Sequence, residues 1–237
     1  MGRRLGRVAA AIILAGLLAG AVAWFGTPAV DDVQVRVERL AAVHGEPVLV
    51  PADVPNQLAL AVVATEDERF YVHHGVDLIG LFRAGLDDLR LGCLCEGGST
   101  LTEQLVKEVY LDGSDRGGAK LVDVALAFKA ELVLDKPRIL ADWLTLAPTG
   151  PTLYGVGPAA CRYFGRPLAN LDLAQYALLA GLPQAPSADE PRAHPVAALR
   201  RRQEVLTAML GHRYITPAEA AAASNEPLLA AGPGCQL

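Results

Sequence analysis

The sequence predicts a mainly α-helical domain behind a single N-terminal membrane-spanning helix, and three observations carry that reading. Apolar residues recur at three-and-four spacing in one segment after another between Asn56 and Leu210, the period of helices that bury one face. Helix-start chemistry precedes several of these segments: Thr100 with Glu103, and Thr216-Pro217-Ala218-Glu219, both have the capping-box form. An uncharged run from Val8 to Phe25 follows Arg3, Arg4 and Arg7, which reads as a membrane anchor.

Composition bounds the function. The 237 residues are 52% apolar and only 5% aromatic, with a net charge of −5 and a mean hydropathy of +0.28. Such a chain can bury an aliphatic core and still furnish a membrane segment, which excludes a disordered protein. The acidic balance argues against a nucleic-acid binder, whose affinity comes from clustered phosphate contacts. Any anionic ligand must be met by a local basic cluster.

Taken in order, residues 1–7 are expected in the cytoplasm and 8–25 in the membrane. At 1.5 Å per residue that run spans about 27 Å, and the arginines place the rest of the chain outside by the positive-inside rule. Ala21-Val22-Ala23 also has the form of a cleavage site, so a signal peptide is the alternative, although the run exceeds the usual h-region of about 7–15 residues. Residues 26–50 alternate apolar and polar around Val33, Val35 and Val37 and read as an extended connector or short strand. Helices are then expected from Asn56 (as cap) to Glu66, from Val76 to about Leu91, from near Thr100, from about Lys120 to Leu134, and from about Arg138 to Leu146. Two more cover Leu173 to Leu182 and Val196 to Leu210. A short helix opens after Thr216. Residues 51–212 form the domain and 213–237 a tail. Cys93, Cys95, Cys161 and Cys235 lack metal-ligand spacing. One of the first two can bridge to a later one in an oxidising compartment, but free or buried thiols are the simpler expectation.

Chemistry concentrates at three places. Glu66-Asp67-Glu68 stand at the end of an otherwise apolar helix, where negative charge is unfavourable. A carboxylate backed by apolar turns can be pushed toward neutral pH and act as a general base; the plain alternative is an exposed acidic helix exit. Gly97-Gly98-Ser99-Thr100 opens a helix on which Gln104 and Lys107, three apart, share a face. Near a helix N-terminus this makes a polar wall for a sugar or phosphate, and local capping accounts for the rest. Arg116, Lys120 and Asp123 form the third cluster, with a weak surface ion pair as the plain reading. The chain has four lysines, at 107, 120, 129 and 136, and two of them fall in these clusters.

Together the motifs resemble the peptidoglycan glycosyltransferases, the lipid II polymerases with a lysozyme-like helical fold. Glu66-Asp67-x-x-Phe70-x-x-His73-x-Gly75 is similar to their first motif, and Gly98-Ser99-Thr100-x-Thr102-x-Gln104-x-x-Lys107 to their second. Ala119-Lys120-Leu121-Val122-Asp123 takes the place of Arg-Lys-x-x-Glu. Ile139 to Thr145, Tyr154-Gly155-Val156, Ala159 to Gly165 with Arg162, and Leu178 to Pro186 follow in register, with the Arg200-Arg201 to Met209 helix behind. The resemblance implies transfer of a lipid-linked glycan chain to the 4-hydroxyl of lipid II, with inversion and loss of undecaprenyl pyrophosphate. It implies Glu66 as general base and Asp123 as the second acid. Lys120 and Arg116 would stabilise leaving-group charge. Asp67, Phe70, His73, Ser99, Thr100, Thr102, Gln104, Lys107 and Arg162 would bind substrate. The apolar stretch from Leu78 to about Leu94 matches a membrane-dipping segment.

The resemblance further implies a single-pass protein of the bacterial cytoplasmic membrane, its domain extracytoplasmic, with lipid II, the membrane and cell-wall assembly proteins as partners. The sequence requires no cofactor; a divalent cation, Mg or Mn, at the pyrophosphate is compatible with it, and no metal ligands are assigned. Four departures stand out: Ala119 for Arg, Asp123 for Glu, Glu103 for Gln and Thr145 for Asn. Asp123 retracts its charge by one methylene, Ala119 removes a planar phosphate ligand, and Glu103 adds negative charge beside an anionic donor. They leave open reduced activity or a non-catalytic relative that binds lipid II or assembly partners. A lysozyme-like hydrolase, needing a carboxyl pair across a glycosidic bond, is the third reading; Lys107 and Lys120 would be superfluous in it.

Overall fold

The computed structural model describes residues 2–83, 98–111, 113, 120–229 and 235. Helix α1 (Gly2–Gly26) contains 21 residues, Gly6–Gly26, long and apolar enough to cross a bilayer. It is followed by α2 (Val33–His44), α3 (Asn56–Glu66), α4 (Leu101–Leu111), α5 (Lys120–Val133), α6 (Lys136–Leu146), α7 (Val156–Phe164), α8 (Leu173–Gly181), α9 (Pro195–Gly211) and α10 (Pro217–Asn225). Among the described residues the only β pairing is two isolated bridges, His74–Val76 and Pro148–Tyr154. The mainly α expectation therefore holds.

The core is built around α3, α8 and α9, which pack on one another. Leu58, Ala61, Val62 and Val63 of α3 are fully buried, as are Leu178 and Leu179 of α8 and Val205, Leu206 and Met209 of α9. A central helix such as α3 is apolar nearly all round because it meets protein on several sides. Its first residue is Asn56, with Pro55 in the cap position, one residue off the sequence reading. The remaining capping signals act as expected. Thr100 accepts from the Glu103 amide at 3.1 Å and donates its own N–H to the Glu103 carboxylate at 2.9 Å. Thr216 and Glu219 make the same reciprocal pair at the start of α10.

Two corrections concern the connector and the cysteines. Residues 33–44 are helical rather than extended. Val33, Val37 and Ala41, four apart, are buried, whereas Val35 faces out; the two-residue alternation there is half of a four-residue repeat. The helix stops at Gly45, whose φ of +75° gives the left-handed turn that lets the Glu46 amide reach the Ala41 carbonyl at 2.8 Å. Gln34 bonds Asp142, His44 stacks on Tyr154 with ring centroids 3.8 Å apart, and Leu49 donates its N–H to the Thr145 hydroxyl at 3.0 Å, so this segment is strapped to α6 and to the loop after it. Cys161 and Cys235 are joined in a disulfide, not free thiols; Cys93 and Cys95 lie outside the described residues. After residue 212 the chain stays packed: Arg202 donates to the Ser224, Glu226 and Pro227 carbonyls, and Leu228 and Leu229 lie against the core. Helix α7 is not among the helices that the apolar spacing predicts.

Two features bear on the candidate membrane span and on the apolar stretch after it. Lys129 of α5 donates to the carbonyls of Thr27 and Pro28 at 2.9 and 3.1 Å and to the Thr27 hydroxyl at 2.9 Å. Its ammonium also lies 5.3 Å from the centre of the Trp24 ring, so the end of α1 is clamped to the body. Residues 78–83 are helical and expose Leu78, Ile79, Leu81 and Phe82; the rest of the expected membrane-dipping stretch lies outside the described residues.

Candidate active site

The three consecutive acids at the end of α3 point to three different partners. Glu66 accepts a hydrogen bond from the Gln104 side-chain amide at 3.1 Å, and its other oxygen lies 3.7 Å from the Arg201 guanidinium. Its side chain is 14% exposed, enough for a hydroxyl to reach it. Burial pushes its carboxyl above the ordinary value, against the opposing pull of the Gln104 hydrogen bond and the Arg201 charge, while the Asp67 charge adds to the rise. Glu68 pairs with Arg83 and lies 3.4 Å from His212 Nε2.

Asp67 turns inward. It accepts from the backbone N–H of Leu101 at 3.0 Å, capping α4, and its two oxygens lie 2.9 and 3.0 Å from His73 Nε2. On the far side of that ring Lys136 approaches Nδ1 at 3.5 Å; a lysine donates only, so the Nε2–H is the one given to Asp67. Lys136 also bonds Glu131 at 2.7 Å and lies 4.4 Å over the Phe70 ring. Thr102 donates to the same Glu131 oxygen at 2.7 Å. Phe70 and Thr102 have no exposed surface and His73 very little. Phe70, His73 and Thr102, which the resemblance implied as substrate-binding residues, are thus turned into the protein and paired with its own side chains. With Asp67 they form a buried lattice that fixes the loop after Glu66 to α4, α5 and α6.

The second motif lies beside Glu66. Glu66, Asp67, Ser99 and Thr100 line a cavity of about 70 Å³ together with Asp77 and Arg83. The Thr100 hydroxyl is spent on the Gly75 carbonyl at 2.6 Å. Gly75 has φ +72°, and a Cβ there would stand 2.9 Å from the Phe128 nitrogen, so this crossing admits glycine alone. Lys120 contacts Glu103 at 2.9 Å and the Ser99 hydroxyl at 3.1 Å. The added acid at 103 thus faces a lysine that the resemblance assigned to the pyrophosphate. Gln104, Lys107 and Trp143 line a second cavity, of about 190 Å³. Asp123 occupies the first turn of α5, three residues from Lys120.

Arg162 is not brought to this cleft. It is exposed and lines a separate cavity with Arg192, His194 and the Cys161–Cys235 disulfide, so its part in substrate binding is not supported by its placement. Arg116 and Ala119 lie outside the described residues. The Thr145 hydroxyl accepts from Leu49 and donates to the Ala141 carbonyl at 2.8 Å, holding the connector rather than the cleft. Among the described residues no group of three or more His, Cys, Asp or Glu converges as a metal site would. Two contributors were missed as site residues: Arg201, present in the sequence only as part of a helix behind the motifs, and Trp143, whose indole N–H donates to Gln104 Oε1 at 3.0 Å. Both pairings join residues far apart in sequence.

The chain is similar to known proteins. A family model described as Transglycosylase matches residues 34–210, a span that takes in α2. A chain of Cupriavidus necator that bears the name transglycosylase is 42% identical over 193 residues, covering 81% of this chain and 83% of that one. Penicillin-binding protein 1A of Vibrio cholerae is 39% identical over 202 residues, 84% of this chain and 24% of its own. This chain thus spans about a quarter of the penicillin-binding proteins it matches. The crystal structure of Penicillin-Binding Protein 1A from Haemophilus influenzae overlays 78% of this chain and 18% of its own, with 26% identity and a TM-score of 0.47.

Proposed function

The chain belongs to the transglycosylase family, and from that membership we propose that it polymerises glycan strands of peptidoglycan from lipid II at the outer face of the bacterial cytoplasmic membrane. The observation that carries the reading is Glu66: a carboxylate of raised proton affinity, partly open to the cleft, with the second motif's Ser99 beside it and Gln104 on its oxygen.

In this reading the 4-hydroxyl of the acceptor sugar hydrogen-bonds Glu66 and gives up its proton as the oxygen attacks the anomeric carbon of the lipid-linked chain. The bond to the pyrophosphate breaks and configuration inverts. Desolvation makes Glu66 a stronger base than an exposed carboxylate, while the Gln104 amide and the Arg201 charge favour its ionised form. The negative charge that leaves is met by Lys107 and Lys120. Asp123, one turn into α5, orients the reacting centre. A divalent ion such as Mg or Mn, where used, would take most of its ligands from the pyrophosphate and water. The lipid tail stays in the bilayer crossed by α1, beside the exposed Leu78, Ile79 and Phe82.

The test is polymerisation of labelled lipid II by the full-length protein in detergent or vesicles. Wild type yields strands and Glu66→Gln does not. Lipid II binding with no strands from either protein would instead establish a non-catalytic relative, and soluble fragments from preformed glycan a hydrolase.

A further inference from the structure

Gln104 touches Glu66 through an amide whose two ends have opposite chemistry: the NH2 stabilises a carboxylate, whereas the oxygen would repel it. What decides between them is Trp143. An indole N–H donates and cannot accept, and it lies 3.0 Å from one end of the amide. That end must be oxygen, so the NH2 is the group 3.1 Å from Glu66 Oε2. Trp143 is held rigidly for this purpose, 5% exposed in the middle of α6 and packed in the core. We propose that Trp143 is a positioning residue for the base: it locks the Gln104 amide so that a donor, never an acceptor, faces Glu66.

The proposal rests on Glu66 being the base in the reading above, but its geometry can be tested without turnover. The charged groups that face Glu66 are Arg201 from α9, whose guanidinium also bonds Glu204 at 3.1 Å, Asp67 next in the chain, and Glu68, Asp77 and Arg83 around the same cavity. Replacing Trp143 by Phe keeps a ring in place and removes the N–H, which frees the amide to turn its oxygen toward the carboxyl. Glu66 then holds its proton to higher pH.

The experiment is carbon-13 NMR titration of the side-chain carboxyls of the full-length protein in detergent, with the Glu66 signal identified by its loss in Glu66→Gln. Trp143→Phe is expected to raise the Glu66 midpoint by about one pH unit, the scale of one hydrogen bond to a charged group. Gln104→Leu should raise it similarly, and Trp143→Phe in the Gln104→Leu background should add nothing further. A midpoint that stays put in Trp143→Phe overturns the proposal, and so does a rise of equal size in both backgrounds, since the indole would then act by another route. Should Trp143→Phe fail to fold, the benzothiophene analogue of tryptophan at position 143 keeps the shape, removes only the N–H, and gives the same decision. Strand synthesis by the same proteins separates the two questions. A shifted midpoint in a protein that never makes strands sinks the polymerase reading and leaves the relay standing; strands with an unmoved midpoint do the reverse.

Discussion

Removing Asp67 should cost more stability than removing any other acid of the first motif, because it alone serves two buried donors. In Asp67→Ala the Leu101 N–H at 3.0 Å and the His73 Nε2–H at 2.9 Å both lose their acceptor, and neither can turn to water, since the His73 side chain is 4% exposed. Each unsatisfied donor costs about 1–3 kcal/mol, so the pair comes to about 4 kcal/mol. For a protein of this size that lowers the melting temperature by about 8–16 °C. Asp67→Asn keeps one acceptor oxygen and can serve one donor but not both, so it should fall about midway. The double variant Asp67→Ala with His73→Ala removes one orphan and should be less destabilised than the sum of the two. The assay is thermal unfolding of the full-length protein in detergent, followed by helical circular dichroism. A melting temperature for Asp67→Ala within about 2 °C of wild type, under one kilocalorie on this scale, would show that the lattice does not hold the loop, and the positional role given to Asp67, His73 and Lys136 would have to be abandoned.

Two further outcomes follow. Glu66 has its folded-state pKa raised by burial, so its contribution favours folding in acid, below the ordinary carboxylate range, and is lost as pH rises through the folded value. Glu66→Gln should therefore melt higher than wild type at pH above neutrality, with the gap closing as the solution is acidified; a gap that widens in acid reverses the sign and refutes the burial argument. Glu103→Gln should retain the cap on Thr100 and release Lys120. Because the Lys120 side chain is 47% exposed, stability should change by no more than about 1 kcal/mol. Initial rates of strand synthesis against donor concentration should show a KM several-fold lower, and an unchanged or higher KM would mean that Lys120 does not meet the donor.

The helices with long apolar periods were legible because burial alone dictates their pattern, and capping at Thr100 and Thr216 was legible because it is local chemistry within four residues. Helix α2 was not, since Val33, Val35 and Val37 satisfy a two-residue period as well as they satisfy half of a four-residue one, and it is the exposure of Val35 that separates the two. Glu66 stood out as an acid where an acid is unfavourable. The uses of Asp67, Phe70, His73 and Thr102 could not be read in the same way. Their motif spacing is compatible both with a ligand and with one another, and the partners that settle the matter, Leu101, Glu131 and Lys136, lie up to 66 residues away. Trp143 and Arg201 give no local signal at all: an aromatic in an apolar helix and an arginine in a basic one are ordinary until folding sets them against Gln104 and Glu66.

The clamp of Lys129 on Thr27 and Pro28 turns the end of the anchor into a reference plane. The same helix carries Lys120 nine residues earlier, about 14 Å along its axis, so under the proposed function the offset between the bilayer and the donor's phosphates would be set by one rigid rod rather than by a floppy stalk. On that proposal a tethered substrate would be measured as well as recognised: only a head group whose reach from the lipid surface matched that offset would present its reacting carbon to Glu66, and a soluble sugar phosphate with the same chemistry would arrive without that alignment.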